Sequence, residues 1–154
     1  MTEGNPLLQP WTTPYALPPF AAFRPEHFAP AFHEAMQEHR AELDAIAQQA
    51  QPPGFDNTLA RLDASGRLLS RIEALFYNLC ASETSPALQQ VQREMAGPLA
   101  AHSSAQYMHA GLFARIDALH AKRADLGLTP EQLYDSLSVV VGTLVIQGLT
   151  LAPL

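Results

Sequence analysis

Proline placement constrains this chain more than any other feature. Prolines at 6, 10, 14, 18 and 19 deny a regular helix to the first two dozen residues and remove donors that a sheet ladder would need. That stretch is expected to be an extended arm. The next proline does the opposite. Pro25 suits the first position of a helix, where a missing N–H costs nothing and φ is already helical, and Glu26 adds a carboxylate where the macrodipole is positive. Phe28 and Phe32 lie four apart on one face, and Met36, Leu43 and Ile46 continue that apolar stripe at helical spacing. The pattern predicts an amphipathic helix over 25–49, ended by the breaker cluster Gln51-Pro52-Pro53-Gly54.

Four more helices follow from the same signals. Asp56-Asn57-Thr58 offers three caps for a second helix reaching about Cys80. Its inward residues are Leu59, Leu62, Leu69, Ile72, Phe76 and Leu79, with a gap at Ser65-Gly66 that allows close approach of another helix. Ser85-Pro86 restarts the chain as cap and first helical residue. Leu88, Val91, Met95 and Leu99 mark the inward face of the third helix, and Gly97-Pro98 is expected to kink it. The fourth helix spans about 110–123 with Leu112, Phe113, Ile116 and Leu119 inward. Thr129-Pro130-Glu131-Gln132 has the form of a capping box and predicts a fifth. Every element carries the 3.6-residue period and none a sustained strand alternation. The fold class is therefore all-α: an antiparallel bundle of about five helices behind an extended, proline-rich arm.

Three segments result: the arm at 1–24, a helical domain at 25–133 and a tail at 134–154. The arm is too apolar for a free terminus. Leu7, Leu8, Trp11, Tyr15, Leu17, Phe20 and Phe23 all gain by burial, either on the chain's own helices or under a protein partner. The tail changes character: from Ser136 to Leu154 no side chain is charged. Its 19 residues just reach membrane-spanning length, but Ser136, Ser138, Gly142, Thr143, Gln147, Gly148 and Thr150 dilute it. A buried helix or strand pair is favoured over a membrane span, and a stretch out of register with the rest of the fold is the third reading.

Composition excludes some function classes. A formal net charge of -6 with Lys122 as the only lysine supplies no basic stripe for a phosphate backbone, so nucleic acid is not an expected partner. The lone Cys80 cannot form an internal disulfide and, beside Leu75, Phe76 and Leu79, reads as a small buried side chain. The first residues lack the basic and apolar regions of a signal peptide, and a cytoplasmic location is expected.

The search for chemistry ends without a site. His33-Glu34-Ala35-Met36-Gln37-Glu38-His39 comes nearest to a His-Glu-x-x-His zinc motif, but the second histidine would have to stand where Gln37 is. His33 and His39 are about 240° apart around a helix and read as two partly exposed polar positions. His27 falls in a first helical turn, His102 and His109 flank a loop, and His120 lies near a helix end; no pair has ligand spacing on one helix face. No Gly-x-Ser-x-Gly elbow and no Gly-rich phosphate loop occurs. Arg61, Asp63, Arg67, Arg71 and Glu73 read as a solvated face with i,i+4 pairs. No catalytic, cofactor-binding or metal-binding residue is expected.

The wording of the chain adds a resemblance. Asn5-Pro6-Leu7-Leu8, Pro18-Pro19-Phe20, Arg24-Pro25-Glu26-His27-Phe28, Phe55-Asp56-Asn57-Thr58, Ser65-Gly66-Arg67-Leu68-Leu69, Phe76-Tyr77-Asn78-Leu79, Leu99-Ala100-Ala101-His102 and Leu112-Phe113-Ala114-Arg115-Ile116 occur in order. This set resembles the N-terminal region of the M3-family zinc metallopeptidases, the oligopeptidase A and peptidyl-dipeptidase group, from Asn5 to about Gln132. The resemblance implies a helical roof over a deep cleft that restricts the enzyme to short peptides. It places zinc, its histidines and the catalytic glutamate in a later catalytic part with no counterpart here. After Gln132 the match lapses, at Tyr134-Asp135-Ser136-Leu137-Ser138-Val139-Val140, and Leu144-Val145-Ile146-Gln147-Gly148 is again faintly similar. The expectation is a non-catalytic fragment, truncated before the catalytic part; the alternative is a free-standing helical interaction module.

Overall fold

The structure is a computed structural model that describes residues 4–122 together with Thr129. Its regular elements are two 3-10 turns, Pro14–Ala16 and Phe20–Ala22, then α1 (Pro25–Ala47), a π-helical turn (Phe55–Leu59) that runs into the short α2 (Ala60–Asp63), α3 (Arg67–Ser82), α4 (Pro86–Tyr107) and α5 (Ala110–Ala121). No strand occurs among the described residues, whose regular elements are all helical, as the 3.6-residue periodicity demands. The helix expected from Thr129 and the uncharged tail lie outside the described residues.

Helix starts follow local chemistry. Pro25 opens α1, with the Arg24 N–H donating to Nδ1 of His27 at 3.2 Å and the His27 N–H returning to the Arg24 carbonyl at 3.0 Å. His27 thus does what a glutamate or glutamine does in a capping box. Pro86 opens α4 behind Ser85, whose hydroxyl accepts from the Leu88 N–H at 3.2 Å. α4 runs on through Gly97 and Pro98 to Tyr107. Proline there removes only the donor aimed at residue 94, and Glu94 is exposed, so water can serve its carbonyl.

The single second helix expected from about residue 58 to 80 is two helices. Gly66 has φ 67°, a left-handed conformation that ends one helical run and precedes α3. A Cβ on Gly66 would stand 2.9 Å from Cε1 and 3.0 Å from Nδ1 of His39, so only glycine fits. The gap at Ser65-Gly66 does admit a close neighbour, but through a break rather than a smooth helix face.

Two compact units divide the chain. The first holds residues 1–39 and 66–102, built on one core: Phe28, Phe32 and Met36 of α1, Leu69, Ile72 and Phe76 of α3, and Leu88, Val91 and Met95 of α4. Phe76 is central, with ring centroids 5.0 Å from Phe28 and 5.3 Å from Phe32. The arm belongs to this unit: Leu7 is fully buried in the core, and Leu8, Trp11 and Phe23 pack against it. Burial on the chain's own helices therefore accounts for that half of the arm. Tyr15, Leu17 and Phe20 remain exposed.

The second unit holds 40–65 and 103–154, and its described part is organised by Leu43 and Ile46 of α1, Leu59 and Leu62, and Leu112, Ile116 and Leu119 of α5. Gly111 lets α5 approach α1 closely, since a Cβ there would fall 2.9 Å from that of Ala47. Phe113 is half-buried rather than inward.

Phe76→Ala should lower stability by about 3–5 kcal/mol as a large-to-small core change, read as a shift in the denaturation midpoint. An unchanged midpoint would refute the aromatic core.

Candidate functional site

The helical stripe of α1 does not stop at Met36. His39 occupies the next inward position, three residues on, and is 8% exposed, whereas His33 is exposed. The reading of His39 as a partly exposed surface residue is thus corrected. His102, expected only to flank a loop, is buried as well. It lies inside α4 and is 7% exposed. Nδ1 of His39 and Nε2 of His102 are 3.0 Å apart, with ring centroids separated by 5.0 Å. One of these nitrogens carries the proton and the other accepts it, so the pair is a hydrogen bond between imidazoles across 63 positions of sequence. Spacing rules compare residues within one helix and cannot see such a pair. The usable signal was the stripe itself: 28, 32, 36, 39, 43, 46.

The remaining described histidines serve helix ends. His109 is the N-cap of α5: its Nδ1 accepts from the Leu112 N–H at 3.2 Å, which leaves Nε2 as the donor to Asp44 at 3.0 Å. Among the described residues no group of three or more His, Cys, Asp or Glu side chains could hold a metal ion. Cys80 is half-buried, and desolvation pushes its thiol up, away from the reactive thiolate.

Arg115 was invisible as a functional residue beyond its place in Leu112-Phe113-Ala114-Arg115-Ile116. It is 7% exposed and clamps the connection that follows α1. Nη1 donates to the carbonyls of Gln49 and Gln51 at 3.0 and 3.1 Å, and Nη2 to Asn57 Oδ1 and Thr58 Oγ1 at 3.1 and 3.2 Å. Asn57 completes the clamp by accepting from the Gly54 N–H at 2.8 Å and donating to the Pro52 carbonyl at 3.0 Å. Here a guanidinium satisfies backbone that two prolines leave without regular partners.

The accessible chemistry lies at the arm. Arg71 is not part of a solvated face: it is half-buried, its Nη2 donates to the Leu7 carbonyl at 2.8 Å, and its guanidinium carbon stands 4.9 Å from the centre of the Trp11 ring. Trp11 in turn packs on Phe23, with centroids 5.9 Å apart. Asn5 anchors the start of the arm, donating to the His27 carbonyl at 2.7 Å and accepting from the Leu7 N–H at 3.0 Å. Trp11, Pro18, Phe20, Arg71, Leu75 and Asn78 line a groove of about 320 Å³. Two residues beyond Arg71 on α3, burial raises the Glu73 carboxyl above its ordinary value of 4.5.

No family model matches the chain. Among curated proteins it is similar to dipeptidyl carboxypeptidase of Escherichia coli (strain K12), 40% identical over 133 residues, or 86% of this chain and 20% of that protein. The Salmonella typhimurium enzyme of the same name is 40% identical over 129 residues, 84% of this chain and 19% of the relative. Oligopeptidase A of Escherichia coli (strain K12) is 30% identical over 109 residues, 71% of this chain and 15% of the relative. The chain thus spans about a fifth of the length of the dipeptidyl carboxypeptidases it matches.

Gly66→Ala should cost about 2–4 kcal/mol, the sum of a left-handed backbone penalty and a clash with His39. Adding His39→Ala should relieve only the clash, so that in a double-mutant cycle the double variant loses less stability than the two single variants summed. Glu73 binds its proton more tightly in the folded chain than in the unfolded one. Its presence therefore lowers stability as pH rises from the ordinary carboxylate value through the folded one, and the penalty is constant above. Glu73→Gln should raise the denaturation midpoint at pH 7, with the gain fading as pH falls through the raised folded-state value and absent below the ordinary 4.5.

Proposed function

As a homologue of dipeptidyl carboxypeptidase and oligopeptidase A, in the M3 family, this chain is, we propose, the helical, non-catalytic N-terminal part of a zinc-dependent peptidase acting on short peptides. The observation that carries this reading is the 40% identity sustained over 86% of the chain, joined to a sequence in which no histidine is followed by another four residues later. Zinc hydrolysis needs that pairing on one helix face, with a glutamate to activate the water. Among the described residues the buried His39 bonds to His102, and Arg115 to the carbonyls and side chains at 49, 51, 57 and 58. Such a segment contributes shape and support, while the water-activating groups come from elsewhere in a peptidase.

A second reading rests on the exposed aromatic and aliphatic residues of the arm. With Tyr15 95%, Leu17 58% and Phe20 52% exposed, the chain also presents an apolar edge suited to a protein partner, as a helical interaction module would.

A chimera separates them. Replacing the aligned segment of Escherichia coli dipeptidyl carboxypeptidase with residues 5–132 of this chain should give a folded enzyme that still hydrolyses peptides in a chelator-sensitive manner. A chimera with native-like circular dichroism but no activity would refute the peptidase reading and favour the interaction module. The 154-residue chain alone should show no chelator-sensitive peptide hydrolysis.

A further inference from the structure

We propose that His39 and His102 form an acid-sensitive latch in the first unit, closed while at least one of the two imidazoles is neutral and forced open once both are protonated. The geometry sets this limit. Nδ1 of His39 faces Nε2 of His102 at 3.0 Å, and one of the two nitrogens must accept. An imidazolium donates from both ring nitrogens and accepts at neither. With one ring protonated the hydrogen bond survives and becomes charge-assisted; with both protonated, N–H meets N–H between like charges. Burial closes the usual escape of a charged ring into water, since His39 and His102 are 8% and 7% exposed. The His39 ring also lies against Gly66, the left-handed residue that precedes α3. All three residues belong to the first unit, so the latch ties the meeting of α1, α4 and the start of α3 to pH.

Neighbouring charges do not lift the limit. Along α4 no charged or other titratable residue stands within four positions of His102. Along α1 those within four positions of His39 are Glu38 and Arg40, both exposed, and the half-buried Glu42. Around Gly66 they are Asp63 and Arg67, both exposed. Glu42, three residues beyond His39, carries a single charge and can offset one protonation, not two. A histidine free in the unfolded chain takes its proton near pH 6.5. Below that pH the unfolded chain therefore binds both protons, whereas the closed pair gains one at most. Stability from the latch is complete above about pH 6.5 and declines as pH falls below it, by up to about tenfold in the unfolding constant per pH unit.

The 154-residue chain would be unfolded in urea at pH 7 and at pH 5, beside two variants. His102→Gln keeps an acceptor for His39 but takes no proton, and Glu42→Gln removes the half-buried carboxylate. Between the two pH values the unfolding constant of the unsubstituted chain should rise about tenfold or more beyond that of His102→Gln. The titrations of His27, His33, His109 and His120 are common to both chains and cancel. Glu42→Gln should keep the acid sensitivity. In the unsubstituted chain, magnetic resonance of the imidazole Cε1–H groups should record no more than one proton gained by the pair before unfolding, a readout that stands even if His102→Gln does not fold. Full titration of both rings in the folded chain would overturn the latch. Equal acid sensitivity in His102→Gln, or its abolition by Glu42→Gln alone, would do the same.

Discussion

The ring of His39 occupies the space in which any side chain at position 66 would begin, and Gly66 meets it with a φ of 67°. Much of the arrangement depends on this contact. The apolar period from Leu59 to Leu79 is unbroken enough for one long helix, yet the left-handed residue ends the first run, and the two halves serve different cores. Leu59 and Leu62 join the α1 and α5 side chains of one unit, and Leu69, Ile72 and Phe76 join the aromatic cluster of the other. On this backbone the buried imidazole leaves no room for a Cβ at 66, so the left-handed break is open to glycine alone.

The His39–His102 pair and the Arg115 guanidinium bind groups of the chain itself. An imidazole pair and a guanidinium are costly to desolvate, and each is tolerated because it meets hydrogen-bond partners brought from far along the sequence. Arg115 shows the logic. A connection carrying Pro52 and Pro53 cannot satisfy its own carbonyls through helix or sheet, so a forked donor from α5 does so. Groups spent in this way are not available to a substrate. The contrast with Arg71 is instructive, because that guanidinium is only half-buried, uses Nη2 on the arm and lies along an open groove.

Similarity to dipeptidyl carboxypeptidase and oligopeptidase A covers most of this chain and a small share of those proteins. A helical segment of this kind can be kept for its packing alone. Its core positions, Phe28, Phe32, Phe76 and Met95, form a close-packed set in which a change of volume at one is felt by the others. The arm, held by Asn5, Leu7 and Trp11, extends that core into the irregular start of the chain and places Phe20 and Leu17 at its edge.

Local rules made the helices legible. Pro25 and Ser85-Pro86 act on backbone within three residues of themselves, and the inward positions of α1, α3, α4 and α5, Phe113 excepted, follow from a period of 3.6. Those interactions need no knowledge of the rest of the molecule. The sequence by itself also determined that a His-Glu-x-x-His motif is lacking in these 154 residues. What only the tertiary structure decided is which polar residues face inward together: His39 with His102, Arg115 with Asn57 and Thr58, and Arg71 with Leu7 are separated by 57 to 64 positions. Their pairing depends on which helix faces meet, because a buried polar side chain is stable only where packing delivers its partner, and no local spacing encodes that delivery.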